Sequence, residues 1–169
     1  MITIRKAQQD DWQVLAEIGL RAWHKAMMPV GETAAMIDNA RSAFSRFTQN
    51  GWITIIIVES GGTPVGWAAR EDLDEMITDF WIDPDHQRQG MGSALLAAVE
   101  EDMRRMGQSE ARLETHARNH EAVAFFRSHG YAIQWLSVVY NPKLDRDLET
   151  VAMVKTLESE EALTYGPMG

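Results

Sequence analysis

Phe80-Trp81-Ile82-Asp83-Pro84-Asp85-His86-Gln87-Arg88-Gln89-Gly90-Met91-Gly92-Ser93-Ala94-Leu95-Leu96 is the stretch on which the fold of this chain turns. Its apolar start closes a strand predicted over Met76 to Ile82, and Asp83-Pro84 ends that strand. Gln87 to Gly92 forms a turn, and the spacing after it predicts a helix from Gly90 to Met106, stopped by Gly107. Glycines at a helix start let backbone N–H groups approach an anion, and the unpaired N–H groups and helix dipole there favour negative charge. A pyrophosphate is the natural occupant, with Arg88 adding a charge-assisted contact. A tight strand–helix turn that holds nothing is the plainer alternative. The G-x-x-x-x-G-K-[ST] phosphate loop is absent, and the dinucleotide fingerprint would need glycine at Leu95.

Working outward, Ile2 to Lys6 alternates as a half-buried strand does. Asp10, with Gln13, offers a cap for a first helix running to about Ala26. Thr33 can cap a second helix that ends at Asn50-Gly51. Trp52 to Val58 reads as a strand buried on both faces, and Ser60 to Thr63 as a hairpin turn into a strand over Val65 to Ala69. Beyond Gly107 come a strand at Ala111 to Thr115, a helix at Asn119 to His129, and closing strands at Tyr131 to Tyr140 and Thr150 to Thr156. The order β-α-α-β-β-β-α-β-α-β-β predicts an α/β fold with a mixed, twisted sheet and helices on both faces. One domain over residues 1–157 is expected, with 158–169 a frayed tail.

The 169 residues have globular composition, 45% hydrophobic and 24% charged. Without a run of 18 apolar residues, no membrane span is expected. Met1 to Arg5 lacks the features of a signal peptide. The absence of cysteine excludes a disulfide scaffold and a thiol nucleophile, and fits a cytoplasmic location. The net charge of −9 carries no basic stripe, so no nucleic-acid partner is expected, and it favours the approach of cationic ligands such as amines.

Two stretches carry a family resemblance. Gln87, Gly90 and Gly92 fill the fixed positions of R/Q-x-x-G-x-G/A, the acyl-CoA-binding motif of the GNAT superfamily of N-acetyltransferases. Ile82-Asp83-Pro84 matches the aliphatic-x-Pro that ends the family's fourth strand. Leu113-Glu114-Thr115, then Asn119, Ala122, Phe125-Phe126 and Gly130-Tyr131, resembles the family's following motif, a strand reading L-E-V before N-x-x-A and an aromatic pair. The resemblance covers roughly Ile2 to Leu157 and implies acetyl-CoA as cosubstrate. It implies fourth and fifth strands that splay at a bulge to admit the pantetheine arm against Phe80, Trp81 and Ile82. Backbone N–H groups of Arg88, Gln89, Gly90, Met91, Gly92 and Ser93 would hold the pyrophosphate after Gln87, with Asn119 and the face of Phe126 on the other side.

The implied reaction is direct attack of a neutral amine on the thioester. An alkylammonium has a pKa of about 10.4, so a base is needed. Glu114 matches the glutamate that serves through water in family members acetylating protein N-termini. Arg112, Glu114 and His116 share one strand face, which makes His116 a second candidate, and Asp79 on the neighbouring strand a third. A strand-end salt bridge is the plainer role for each. Oxyanion stabilisation falls to a main-chain N–H near Phe80 to Ile82. The chain departs from the family at Phe126, where many members carry a general-acid tyrosine. Tyr140, read as lying in a loop after the penultimate strand, could reach the site, and a thiolate leaves tolerably unaided.

No metal is expected: His116 and His120 do not share a helix, and position 124 is alanine where H-E-x-x-H needs histidine. Ser93 has no base near it in sequence. Trp23 could stack on a substrate, although core packing is its commoner role. A non-catalytic acyl-CoA-binding sensor is the competing reading. The acceptor stays open among peptide N-terminus, polyamine, aminoglycoside and small amine, and an edge strand among the last two can pair with a copy of itself as a homodimer.

Overall fold

The computed structural model describes residues 1–142 and 145–158. Along the described residues seven strands and four helices follow one another. They are β1 (Ile2–Lys6), α1 (Trp12–Met27), α2 (Ala34–Asn50), β2 (Ile55–Ser60), β3 (Thr63–Ala69), β4 (Asp79–Ile82), α3 (Met91–Arg105), β5 (Glu110–His116), α4 (His120–Ser128), β6 (Ala132–Asn141) and β7 (Arg146–Thr156). The expected element order holds. The tail expected to fray lies outside the described residues, apart from Glu158.

Boundaries shift where side chains compete for backbone groups. Helix α1 is preceded by a 3-10 turn, Gln9–Asp11, and Asp11 rather than Asp10 serves its start by accepting from the Gln8 N–H at 2.7 Å. Arg5 on β1 binds the same carboxylate through two 2.9 Å hydrogen bonds and holds it below the usual aspartate range. Thr33 caps α2 as expected, its hydroxyl accepting from the Met36 N–H. Trp52–Thr54 forms a 3-10 turn instead of opening β2.

Two sheets result, one ordered β1-β2-β3-β4 and one ordered β5-β7-β6, with antiparallel pairing inside each. They meet at Met76, which forms a single parallel bridge with Arg112. There Arg112 N–H donates to Glu75 O and Ile77 N–H to Arg112 O, both at 2.8 Å. The strand expected over Met76 to Ile82 is therefore that bridge followed by a four-residue β4. Beyond the bridge no ladder joins β4 to β5 among the described residues, so the strands part toward their C-terminal ends. The expected bulge in β4 is absent, since its register against β3 runs unbroken from Ala69↔Asp79 to Gly66↔Ile82.

Helices α1 and α2 cover one face, packing Trp23, Phe44 and Trp67 with Ile55 and Ile57 of β2. Trp23 is 3% exposed in that core, so it offers no substrate platform. Helices α3 and α4 cover the other, where Leu95, Leu96 and Phe126 meet Val58, Leu113 and Met153. This second core spans both sheets and holds the parted strands in one body. Burial of such side chains contributes roughly 1.5–3 kcal/mol each. After α4, Gly130 at φ +94 turns the chain so that Tyr131 enters the core and donates to the buried Glu100 at 2.7 Å, which also receives Lys155 at 2.8 Å.

Candidate active site

Beyond the Met76–Arg112 bridge β4 and β5 share no ladder among the described residues, at the strand ends where parallel strands commonly receive ligands. Gly66 of β3 allows β4 its position: a Cβ there would lie 2.6 Å from Ile82 Cδ1 and 2.9 Å from the Trp81 carbonyl. Phe80 turns toward α4, with ring centroids 5.7 Å from Phe125 and 5.3 Å from Phe126. Trp81 turns the other way, edge-on to Phe44, and its indole N–H donates to Asp79 at 3.0 Å. That contact engages Asp79, the third candidate base.

The glycine turn follows β4. Gln87 donates to the Ile82 carbonyl and accepts from Lys25 of α1 at 2.6 Å. Arg88 adopts φ +63 with its side chain 86% exposed, and makes one long contact, 3.5 Å, to Glu121. Gly90 sits at φ +85, a conformation that favours glycine, and no side chain caps α3. Among the described residues the first N–H groups of α3 thus have no side-chain acceptor, while Met91 anchors the turn in the core. Gly92 lets Phe125 approach, since a Cβ would lie 3.1 Å from that ring. Phe125 therefore abuts the turn, whereas Phe126 is 6% exposed and packs among Phe80, Phe125 and Tyr131. Asn119 is engaged in capping α4, its carbonyl oxygen accepting from the Ala122 N–H.

Ser93 stands 2.9 Å from His129 Nε2, and His129 Nδ1 donates to the Phe125 carbonyl at 2.8 Å, so the hydroxyl donates to the imidazole. The two residues are 36 apart in sequence, and nothing local signals the pair. Lys25 at Gln87 is equally invisible to sequence reading.

Helix α1 straps the opening. Arg21 binds the buried Asp83 at the end of β4. The Ala26 carbonyl accepts from His116 Nε2 at 2.8 Å, and the Pro29 carbonyl from Arg118 at 3.3 Å. His116 is thus fixed as the Nε2–H tautomer, 8% exposed, with Nδ1 buried and without a partner among the described residues. Burial lowers its pKa, helped by the charges of Arg118 and His120, so the ring is neutral near pH 7. His116 lines a cleft of about 380 Å³ with Val30, Arg118, Arg146, Leu148 and Glu149. Glu114, two residues earlier on the same face, is exposed and makes no hydrogen bond or ion pair among the described residues. Arg112, on the same strand face, binds Glu110 and Gln134. Tyr140 lies within β6 rather than in a loop. Its phenol is 53% exposed and donates to Asp145 at 2.6 Å, a contact that raises its pKa.

Residues 12–131 match the sequence profile of the acetyltransferase (GNAT) family. The chain belongs to the GNAT family. The family is one of acetyltransferases. A curated relative is the [ribosomal protein bS18]-alanine N-acetyltransferase of Escherichia coli K12, 33% identical over 82 residues, 48% of this chain and 55% of the relative. The chain thus spans about half the length of the curated relatives it matches. Among solved structures, the PaiA N-acetyltransferase of Thermoplasma acidophilum in complex with coenzyme A aligns with a TM-score of 0.77. It is 18% identical and covers 92% of this chain and 99% of that one. The Escherichia coli ribosomal-protein-S18-alanine N-acetyltransferase structure gives 0.68 at 22% identity, over 94% and 95%. These likenesses show the same fold over 92–94% of the chain. No described helix is long and apolar enough to cross a membrane.

Proposed function

We propose that this GNAT protein acetylates the α-amine of a peptide or protein N-terminus, with Glu114 as general base. The observation that carries the reading is the exposed Glu114 carboxylate on β5, unpartnered among the described residues, on the strand that runs beside β4 without a ladder. The glycine turn from Arg88 and the start of α3 as far as Ser93 hold the diphosphate by backbone N–H groups, with the exposed Arg88 able to swing from Glu121 onto it. Phe80, Trp81 and Ile82 offer β4 main-chain groups to the pantetheine arm and one N–H to the developing oxyanion.

The amine nitrogen attacks the thioester carbonyl as Glu114, directly or through a water, removes its proton. The carbon–sulfur bond then breaks and the thiolate leaves. Tyr140, held by Asp145, is not required, because a thiolate departs without a donor. His116 stays neutral and orients the α1–β5 junction. The peptide acceptor rests on the bS18-alanine acetyltransferase likeness, and the cytoplasm is the compartment this implies. We also infer a homodimer joined through β6, which pairs with β7 alone and bears no charged residue along its length.

The test is thiol release from acetyl-CoA over a panel of peptide N-termini, polyamines and aminoglycosides. Peptides should turn over fastest, and Glu114→Gln should lower kcat by about 100-fold with coenzyme A affinity unchanged. Preference for polyamines, or full activity in the variant, would overturn the acceptor or the base respectively.

A further inference from the structure

Trp135 is the one large aromatic of β6 whose direction is set by an irregularity in the backbone. The β6–β7 register runs Ala132↔Val154 and Ile133↔Met153, then jumps to Trp135↔Ala152, leaving Gln134 as the extra residue of a bulge. In an unbroken ladder Gln134 would face Ala152 and Trp135 would face Val151, which belongs to the core under α3 and α4. Strand neighbours directly opposite point to one face, so the bulge moves Trp135 to the other side of the sheet. Bulges beside active sites commonly re-aim a side chain in this way.

That other side is the face of Glu114. Glu114 pairs with Ala152, and Ala152 with Trp135, so the three form one row across β5, β7 and β6. Neighbouring strands lie ~4.8 Å apart, which puts Trp135 about 10 Å from Glu114. Ala152 between them is small and 6% exposed, and belongs to neither hydrophobic core. The next row on this face, His116↔Thr150↔Ser137, leads to the cleft under Val30. Trp135 is 39% exposed. It makes no ring contact and its indole N–H no hydrogen bond among the described residues, whereas Trp67 and Trp81 have both. A large, rigid aromatic left open at such a place is costly in water and well suited to recognition.

We infer that Trp135 is a specificity-determining residue for the acceptor: with the reacting amine at Glu114, the indole face receives an apolar side chain of the second or third residue of the peptide. An extended peptide advances ~3.4 Å per residue, so the second and third residues lie about 3.4 and 7 Å beyond the first, and the length of their side chains closes the rest of the distance to the indole. The inference rests on the peptide-acetylating reading and fails separately from it.

Three tetrapeptides decide it: Ala-Gly-Gly-Gly, Ala-Phe-Gly-Gly and Ala-Gly-Phe-Gly, assayed with wild type, Trp135→Ala and Trp135→Phe. Wild type should favour one Phe peptide over the glycine peptide by tenfold or more in kcat/KM, mainly through KM. Trp135→Ala should bring that ratio within about twofold of unity, and Trp135→Phe should keep most of it, with the affinity of each variant for coenzyme A within twofold of wild type. A ratio unchanged in Trp135→Ala, or no preference in wild type, overturns the role of Trp135 alone. If wild type binds coenzyme A yet acetylates none of the three, the peptide reading falls and the assignment with it. The ratio compares substrates on one protein, so a loss of stability in Trp135→Ala does not imitate the effect.

Discussion

Glu114 and His116 sit two residues apart on one strand face, and the fold treats them in opposite ways. Among the described residues Glu114, exposed, has no partner, while His116 is buried with one nitrogen tied to Ala26 and the other bare. The imidazole of the unfolded chain has an ordinary pKa of about 6.5, and the folded value is lower. Between those two values the unfolded state binds more protons. The stability the neutral ring contributes is therefore complete above about pH 6.5 and is lost as pH falls through the folded value. Thermal melts should show the melting temperature dropping on acidification below that pH, and dropping less in His116→Gln. Equal slopes would mean that other groups set the acid response. The places of Glu114 on its strand and of the glycine turn before α3 were legible because their spacing is local and matches a motif. The orphaned nitrogen of His116 was not, because it depends on the end of α1, some 90 residues away in sequence.

At the scale of elements, β4 is placed by the absence of a side chain on its neighbour. Gly66→Ala would press a methyl group against Ile82 and a backbone oxygen, and overpacking of this kind costs about 1–3 kcal/mol. Urea denaturation should show that loss, with coenzyme A binding weakened as β4 shifts; unaltered stability would mean the strand yields freely. Strand β6 carries a different liability. Leu136, Val138 and Tyr140 share one face and are 60%, 65% and 53% exposed on an uncharged edge. Light scattering should find a dimer at micromolar concentration that Val138→Glu dissociates and Ile53→Glu, on a distant exposed turn, does not. A monomeric wild type would remove the β6 interface. Element types were readable from periodicity and glycine punctuation, and Gly90, Gly107 and Gly130 each fell at a helix end as expected. What escaped were features set by pairing: the shortness of β4, the intact register that replaced its expected bulge, and the bulge of β6 that swings Trp135 across the sheet.

Over the whole molecule, two sheets share one core yet touch edge to edge at a single bridge. Amides of Ile77 and Arg112 are hydrogen-bonded there and should exchange slowly with or without cofactor. Residues 80–82 and 88–93 should gain protection on adding coenzyme A, by tenfold or more in hydrogen-exchange rate. Protection confined to other regions would place the cofactor elsewhere. The unclosed edge also bears on how such a protein adapts to heat. On the site proposed above, substitutions that sealed β4 to β5 would make the chain tougher and idle at once, because the new ladder would fill the space assigned to the thioester. Thermophilic versions must then find their added resistance in the α1–α2 layer, the hairpins and the loops, and leave this slit as loose as it is.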